Sequence, residues 1–311
     1  MNPPTPDARN QPPTKEHTVN TVIDSTALDT TLDTTADPAT VDATTDVATA
    51  EPPPSGGRVS TWSVIRGEWI KFWSVRSTKL TLLTAGLLIV VFGMIFSVVA
   101  ESGEATGPAA LLSDPLDLAL GGMGLGEMIV GVLGVLIVAG EYSTGLIRTT
   151  FAAVGRRTRV LWAKTAVLAA SVFAMAAVAV TAAVVAGQAV YAGDLPTVPL
   201  GDALDVIAGS VVYLVGMGLI GLALGFILRS TAAAIGTLVA GLFIGPGLLN
   251  LLPESITDIF MKYLPSEAGS AMMTQVADPD LLSRGAGYAV FAVWVIGLLA
   301  LAGFLLRKRD A

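Results

Sequence analysis

The chain has 311 residues, of which 53% are hydrophobic and only 14% charged, and its mean hydropathy is +0.69. Soluble globular proteins carry about 25% charged residues, so this composition excludes a water-exposed globular surface over most of the chain. The absence of cysteine excludes disulfides and thiolate metal sites. The formal net charge of −7 belongs to residues 1–57, which hold nine acids and two bases, whereas the remaining residues are balanced.

Residues 1–57 are rich in Thr, Asp, Pro and Ala and contain no aromatic residue. Such a segment cannot bury enough apolar area to offset its ordering entropy, so we predict a disordered, acidic Thr/Pro-rich tail. It has no apolar core of the kind found in a signal peptide. A docking or Thr-phosphorylation segment is the alternative to a plain solvated leader.

Residues 60–79 combine aromatic and basic side chains at helical spacing. Trp62, Trp69 and Trp73 lie beside Arg and Lys residues, immediately before the first long apolar stretch. Aromatic residues together with bases are typical of helices that lie in the membrane interface. We therefore predict an N-terminal interfacial helix over 60–79, with a plain lead-in to the first span as the alternative.

Six apolar stretches make residues 58–311 a predicted transmembrane domain, because about 20 helical residues cross about 30 Å of hydrocarbon. They lie near 80–100, 121–140, 165–191, 204–228, 231–252 and 287–306. The predicted fold class is an all-α integral membrane protein with six transmembrane helices. The fourth and fifth spans are expected to form a tight hairpin, and Gly245-Pro246-Gly247 is expected to break or bend the fifth.

The basic residues of 58–311 are partitioned between alternate connections. Fourteen of the sixteen flank one side of the predicted spans, and only Lys262 and Arg284 fall on the other. Loops rich in Lys and Arg stay in the cytoplasm, so both the N-terminus and the C-terminus are expected to be cytoplasmic.

The sequence contains no catalytic motif that we recognise. There is no Gly-Lys dipeptide of a phosphate-binding loop, no His-Glu-x-x-His and no Gly-x-Ser-x-Gly. We expect no enzymatic activity in this chain, no cofactor and no metal. Glu127 is an acid inside a predicted span, which marks a possible translocation path. The alternative is that glycines at 121–126 loosen the helix end and let water reach Glu127.

The connection at 141–164 is longer and more mixed in character than a simple link between spans. Leu146, Thr150 and Phe151 are predicted on one face of a short helix, with Arg148 opposite. Glu141 is expected to pair with Arg148 or with a base on a partner. The basic cluster that follows would face acids of a partner or obey the positive-inside rule. Its members are Arg156, Arg157 and Arg159.

Three motifs carry a resemblance to a known family. Residues 141–150 read Glu-Tyr-x-x-Gly-x-Ile-Arg-Thr-Thr and are followed by Arg-Arg-x-Arg at 156–159 and a lysine at 164. Together with 68–78 and 262–269, these motifs resemble those of ABC-2 type permeases, the membrane subunits of ATP-binding-cassette transporters, most closely those of actinobacteria. The resemblance covers roughly residues 60–309.

The resemblance implies a half-transporter in a bacterial cell membrane, with ATP hydrolysis in a partner subunit rather than in this chain. A separate ATPase subunit would dock on the 141–164 loop, and a second permease subunit, identical or different, would complete the complex. Export is the commonest activity in this family, and no nucleic acid is implied. The alternative is a membrane sensor or resistance protein that binds a ligand or regulator without transport. An intramembrane enzyme is disfavoured by the missing catalytic motifs.

Overall fold

The structure, a computed structural model, describes residues 60–102, 115–190, 199–274 and 281–308. All of them belong to one unit, Gly57–Ala311. The predicted disordered tail at 1–57 lies outside the described residues.

Every regular element in the described ranges is helical. The elements are α1 (Thr61–Ser74), α2 (Arg76–Glu101), α3 (Pro115–Ala119), α4 (Met123–Ser143), α5 (Leu146–Val154), α6 (Arg157–Val190), α7 (Leu200–Leu228), α8 (Thr231–Val239), a π-helical turn (Ala240–Ile244), α9 (Gly245–Leu249), α10 (Glu254–Met261), α11 (Pro265–Met273) and α12 (Arg284–Lys308). Six helical stretches are long and apolar enough to cross a membrane, namely α2, α4, α6, α7, the run from α8 to α9, and α12. This arrangement is compatible with a multi-pass membrane protein, and each predicted span falls on one of these stretches.

The third span differs most from its prediction. It was expected at 165–191, whereas α6 begins at Arg157. Hydropathy locates only the apolar part of a helix, and α6 continues through Arg157, Arg159 and Lys164 before its apolar part starts. Two of the three predicted loop arginines therefore lie on the first turn of a helix.

Helix α7 is the centre of the bundle. It packs against α4, α6, α8, α11 and α12. About 67% of its most apolar 18-residue stretch is buried, against 11% of the corresponding stretch in the run from α8 to α9. The fifth span is therefore peripheral and presents most of its surface outward.

Glycines allow α4 and α7 to approach at backbone distance. A Cβ atom at Gly221 would lie 2.0 Å from the carbonyl oxygen of Gly131, and one at Gly134 would lie 2.1 Å from that of Gly218. In lipid no hydrophobic effect drives helices together, so association between spans relies on close packing, which small residues at the contact allow. Gly221 and Gly225, four residues apart on α7, both lie in this contact, whereas Gly241 in the fifth span has nothing within 4 Å of its Cβ position.

The predicted interfacial helix at 60–79 is two helices. Ser60 caps α1 by accepting a hydrogen bond from the backbone N–H of Trp62, and α1 ends at Val75, whose backbone is extended. Residues 76–79 already belong to α2. The three tryptophans are exposed, while Val64, Glu68 and Phe72 form the buried face of α1.

The fourth and fifth spans form the predicted tight hairpin. Arg229 adopts a left-handed conformation with φ of 54°, and Ser230 caps α8 by accepting a hydrogen bond from the N–H of Ala233. The fifth span does not break at Gly245-Pro246-Gly247. The irregularity lies one turn earlier, where the N–H of Gly245 bonds to Ala240 across five residues. That shift in register is a π turn, after which the helix continues to Leu249.

Two short helices, α10 and α11, precede α12. The indole of Trp294 donates to the carbonyl oxygen of Tyr263 at 2.8 Å. The Arg284 guanidinium lies 2.5 Å from the Asp205 carboxylate and donates to the carbonyl oxygen of Thr274. These contacts connect α11 and its flanking turns to α7 and α12.

Replacing Gly221 by alanine is expected to destabilise the bundle. The added methyl group meets backbone atoms, which cannot rotate away, so the cost should reach the upper part of the ~1–3 kcal/mol typical of overpacking. Thermal unfolding in detergent, followed by size-exclusion chromatography, measures the loss. Gly297→Ala is the matched control, because Gly297 in α12 has nothing within 4 Å of its Cβ position. Equal melting temperatures for the two variants would contradict the α4–α7 contact.

Candidate functional site

Four charged side chains meet where α1, α4 and α6 come together. The Nζ atom of Lys164 lies 2.8 Å from Glu68 Oε2 and 2.5 Å from Glu141 Oε1, and Lys71 pairs with the same Glu141 oxygen. Lys164 is 2% exposed, Glu141 6% and Glu68 9%, whereas Lys71 remains partly open. We call these four residues the ion cluster.

The ion cluster is formally neutral, with two acids and two bases. A buried charge is tolerated only when it is paired and hydrogen-bonded, because removing an ion from water costs several kcal/mol even after relaxation. Lys164 satisfies this requirement through two carboxylates that come from different helices. The cluster therefore fixes the position of α1 against the end of α4 and the beginning of α6.

Within the chain, Glu141 does not pair with Arg148. Its Oε1 accepts hydrogen bonds from Lys71 and Lys164, while the expected pairing with a base on a partner stays a prediction. Its other oxygen, Oε2, is buried and has no hydrogen-bond partner among the described residues. Because Glu141 forms ion pairs with lysines of the same chain, it contributes to holding the helices together.

The predicted short helix in the 141–164 connection exists as α5. Glycines in left-handed conformations precede and follow it, Gly145 with φ of 75° and Gly155 with φ of 69°, which produces sharp turns at both ends. Its buried residues are Ile147 and Phe151, which share a face because they are four apart. Of the three residues predicted on one face, Phe151 is buried, Thr150 is half-buried and Leu146 is 52% exposed.

The opposite face of α5 is open. Arg148, Thr149, Ala152 and Ala153 are exposed, in a helix whose other side is anchored by Phe151. Two of these four have very small side chains. The exposed side of α5 is therefore a narrow ridge.

The bases around α5 contact aromatic rings of the same chain. The Arg157 guanidinium lies over Phe151 at 5.8 Å, and that of Arg229 lies over Tyr142 at 5.4 Å. Arg229 belongs to the turn between α7 and α8, so this stacking contact connects the fourth and fifth spans to the end of α4. Arg156 is exposed in the turn before α6, and Arg159 is half-buried in its first turn.

Glu127 lies near the other end of α4, in its second turn. It accepts a hydrogen bond from the phenol of Tyr213 in α7 and is half-buried. The Tyr213 ring packs against Phe291 of α12 at 5.2 Å and against Gly269 of α11. Burial raises the pKa of the neighbouring Glu267 carboxyl in α11 above its usual range. The helix begins at Met123, so both expected readings of Glu127 stay open: a path residue, or an acid near a hydrated helix end.

Sequence reasoning missed most partners in these two places. The sequence motifs and the count of basic residues include Glu68, Lys71 and Lys164, but they do not predict that these side chains meet. Tyr213 is not predicted as a site residue. A signal was present for Glu68, which shares a stripe with Val64 and Phe72 at spacings of four. An acid on the buried face of a helix requires a basic partner, and Lys164 within an apolar helix is a basic residue with the same requirement.

The described residues hold no group of three or more His, Cys, Asp or Glu side chains placed to bind a metal ion. Comparison with known protein families found no family model that matches the chain, and comparison with curated proteins found no match either. The function must therefore be argued from the chain's own residues.

Replacing Lys164 by methionine is expected to destabilise the protein by about 3–5 kcal/mol, because the buried Glu68 then loses its ion pair and Glu141 keeps only the partly exposed Lys71. Glu68→Met in the same background should recover part of that loss. A double-mutant cycle on thermal unfolding measures the coupling between the two residues. Lys79→Met, at an exposed base on α2, is the control and should change little. Strictly additive losses for Glu68→Met and Lys164→Met would show that the pair is not coupled.

Proposed function

We propose that this chain is the membrane-spanning permease subunit of an ATP-binding-cassette transporter, and that it works as an exporter. The proposal combines the six membrane-capable helices with the resemblance of residues 60–309 to ABC-2 type permeases. ATP hydrolysis would take place in a separate partner subunit, because the sequence has no phosphate-binding loop.

The observation that carries the proposal is that α5 has an exposed face and is attached to the spans through the ion cluster. A helix that receives force from a soluble ATPase needs an open face for docking and a rigid connection to the spans. The exposed residues of α5 supply the open face. The ion cluster supplies the connection, since Glu141 and Lys164 lie just before and just after the α5 segment and are held to each other and to α1.

The proposed sidedness is supported by the basic residues at this end of the bundle. The surface around the α5–α6 turn includes Arg156, Arg157 and Arg307, so the end of α12 lies beside α5. The positive-inside rule supports placing this basic end in the cytoplasm of a bacterial cell membrane, with both termini on that side. A soluble ATPase would then reach α5 directly.

A second permease subunit is part of the proposal. Only 11% of the most apolar window of the fifth span and 22% of that of α12 are buried within one chain. Such surfaces face lipid or another helix. Their extent supports pairing with an identical or a related subunit, while the exposed tryptophans of α1 support contact with lipid at the interface.

The docking face is tested by adding charge to it without touching the ion cluster. Ala152→Glu is expected to abolish copurification of the tagged full chain with an ATPase subunit, because an acid on the ridge disrupts close seating. Ser63→Glu, at an exposed position on α1, should leave copurification intact. Mass spectrometry identifies the partner by its phosphate-binding loop.

Two outcomes would overturn this part of the proposal. One is equal recovery of the ATPase with Ala152→Glu and with Ser63→Glu. The other is failure to recover any such ATPase with the unmodified chain under conditions that preserve its fold, which would favour a membrane sensor or resistance protein.

Glu127 is proposed to lie in the translocation path. In reconstituted vesicles that contain both subunits, Glu127→Gln is expected to slow transport at least about tenfold, because removing a charge–dipole interaction in a low-dielectric site costs on the order of 1.4 kcal/mol or more. Partner binding should persist. Tyr213→Phe leaves the carboxylate but removes its hydrogen-bond donor, and should have a smaller effect. Unchanged transport by Glu127→Gln would assign Glu127 to a hydrated helix end.

A further inference from the structure

Beside the ion cluster lies a cavity of about 430 Å³ between α1, α2, α4 and α6. Ligand pockets typically occupy about 300–1,000 Å³, so the volume is sufficient for a small ligand or part of a larger one. Val75, Leu136 and Leu146 line it and are 43%, 43% and 52% exposed, so the cavity is open to the surface.

The cavity is polar at one end and apolar at the other. Glu141 and Lys71 line the polar end, while Ile137 and Leu133 continue the wall along α4 toward the middle of the bundle. Glu141 and Leu133 are eight positions apart, which corresponds to about 12 Å of helix. This gradient matches an amphiphile whose headgroup lies at the basic end of the bundle and whose chain runs toward the membrane centre.

Two features at the polar end suit a phosphate group. Helix α2 has the apolar Val75 at its N-cap, so no side chain caps its first backbone N–H groups, and Ser77 and Thr78 of that first turn line the cavity. The N-terminus of a helix attracts anions through these N–H groups and its dipole. Lys71 adds a partly exposed ammonium group at the same cavity.

A third feature suits a cation. Glu141 lines the cavity, and its buried Oε2 lacks a hydrogen-bond partner among the described residues. A buried carboxylate oxygen without a donor costs free energy that a ligand N–H group would recover. Because the ion cluster is formally neutral, a headgroup with both a phosphate and an ammonium group adds no net charge to the site.

We propose that this cavity binds a zwitterionic phospholipid with a primary ammonium group, of the phosphoethanolamine class. The phosphate lies at the N-terminus of α2 with Lys71, Ser77 and Thr78. The ammonium group donates to Glu141 Oε2, and one acyl chain follows Leu133 and Ile137. This site requires only that the chain lie in a membrane, so it stands apart from the transport proposal.

The experiment measures lipid binding to the delipidated full chain in detergent by native mass spectrometry. Dioleoyl phosphatidylethanolamine, phosphatidylcholine and phosphatidylglycerol are compared at equal mole fractions. Phosphatidylethanolamine is expected to bind at least about tenfold more tightly than either of the others, which corresponds to about 1.4 kcal/mol. Phosphatidylcholine has no N–H donor on its headgroup, and phosphatidylglycerol has no ammonium group.

Variants that fill the cavity, with one control outside it, test whether the lipid binds there. Thr81→Phe fills it from α2 and is expected to abolish the preference for phosphatidylethanolamine, whereas Thr84→Phe, at an exposed position one turn away and outside the lining, should retain it. Leu136→Trp closes the cavity from α4 at an exposed position, in case Thr81→Phe does not fold.

Competition with free phosphoethanolamine tests whether the cavity binds the intact lipid or the headgroup alone. Free phosphoethanolamine is expected not to displace the lipid at millimolar concentration, because it lacks the chain that occupies the apolar wall. Equal binding of the three lipids would overturn the proposal. So would wild-type preference in a folded cavity-filling variant, or displacement of the lipid by the free headgroup.

Discussion

The buried ammonium group of Lys164 is the interaction on which the basic end of the bundle depends. It lies 2% exposed between Glu68 and Glu141, which come from α1 and α4. Without the others, Glu68 and Lys164 would each be an uncompensated charge in an apolar setting, and Glu141 would keep only the partly exposed Lys71. Each of the three helices therefore needs the other two in place. A hydrophobic contact of similar size would allow sliding, whereas these hydrogen bonds fix one register.

The sequence was sufficient to predict the six long helices, because hydropathy over about 20 residues measures the same property that a bilayer selects. It was also sufficient for the tight turn at Arg229 and Ser230 and for a short helix within 141–164. Helix ends were less well predicted. Arg157 begins α6 although it is charged, and Val75 interrupts a pattern that looked continuous. Local charge and spacing do not reveal where tertiary contacts extend or stop a helix.

The partners of Glu141 could not be predicted, for a physical reason. Ion pairing depends on which helices are neighbours, and Lys71 and Lys164 are 70 and 23 residues away in sequence. Arg148 was the nearest base along the chain, yet it lies on the exposed face of α5. The same limit applies to Glu127 and Tyr213, which are 86 residues apart. Their meeting follows from the close α4–α7 packing that the glycines allow.

Helix α4 connects the two candidate sites. Glu127 lies in its second turn and Glu141 in its last, so about 21 Å of helix separates them. The helix contains no proline, and Gly131 and Gly134 are held against the backbone of α7. Sharp kinks occur mainly at proline, at glycine or serine pairs, at π turns or where a group is inserted. Because α4 has no proline or π turn and the glycines in its middle are packed against α7, it is expected to move as one body. A force on α5 that shifts Glu141 would therefore also shift Glu127 relative to any helix that stays in place. The peripheral fifth span, which contains the π turn, has the least buried surface and is the helix we expect to move least with α4.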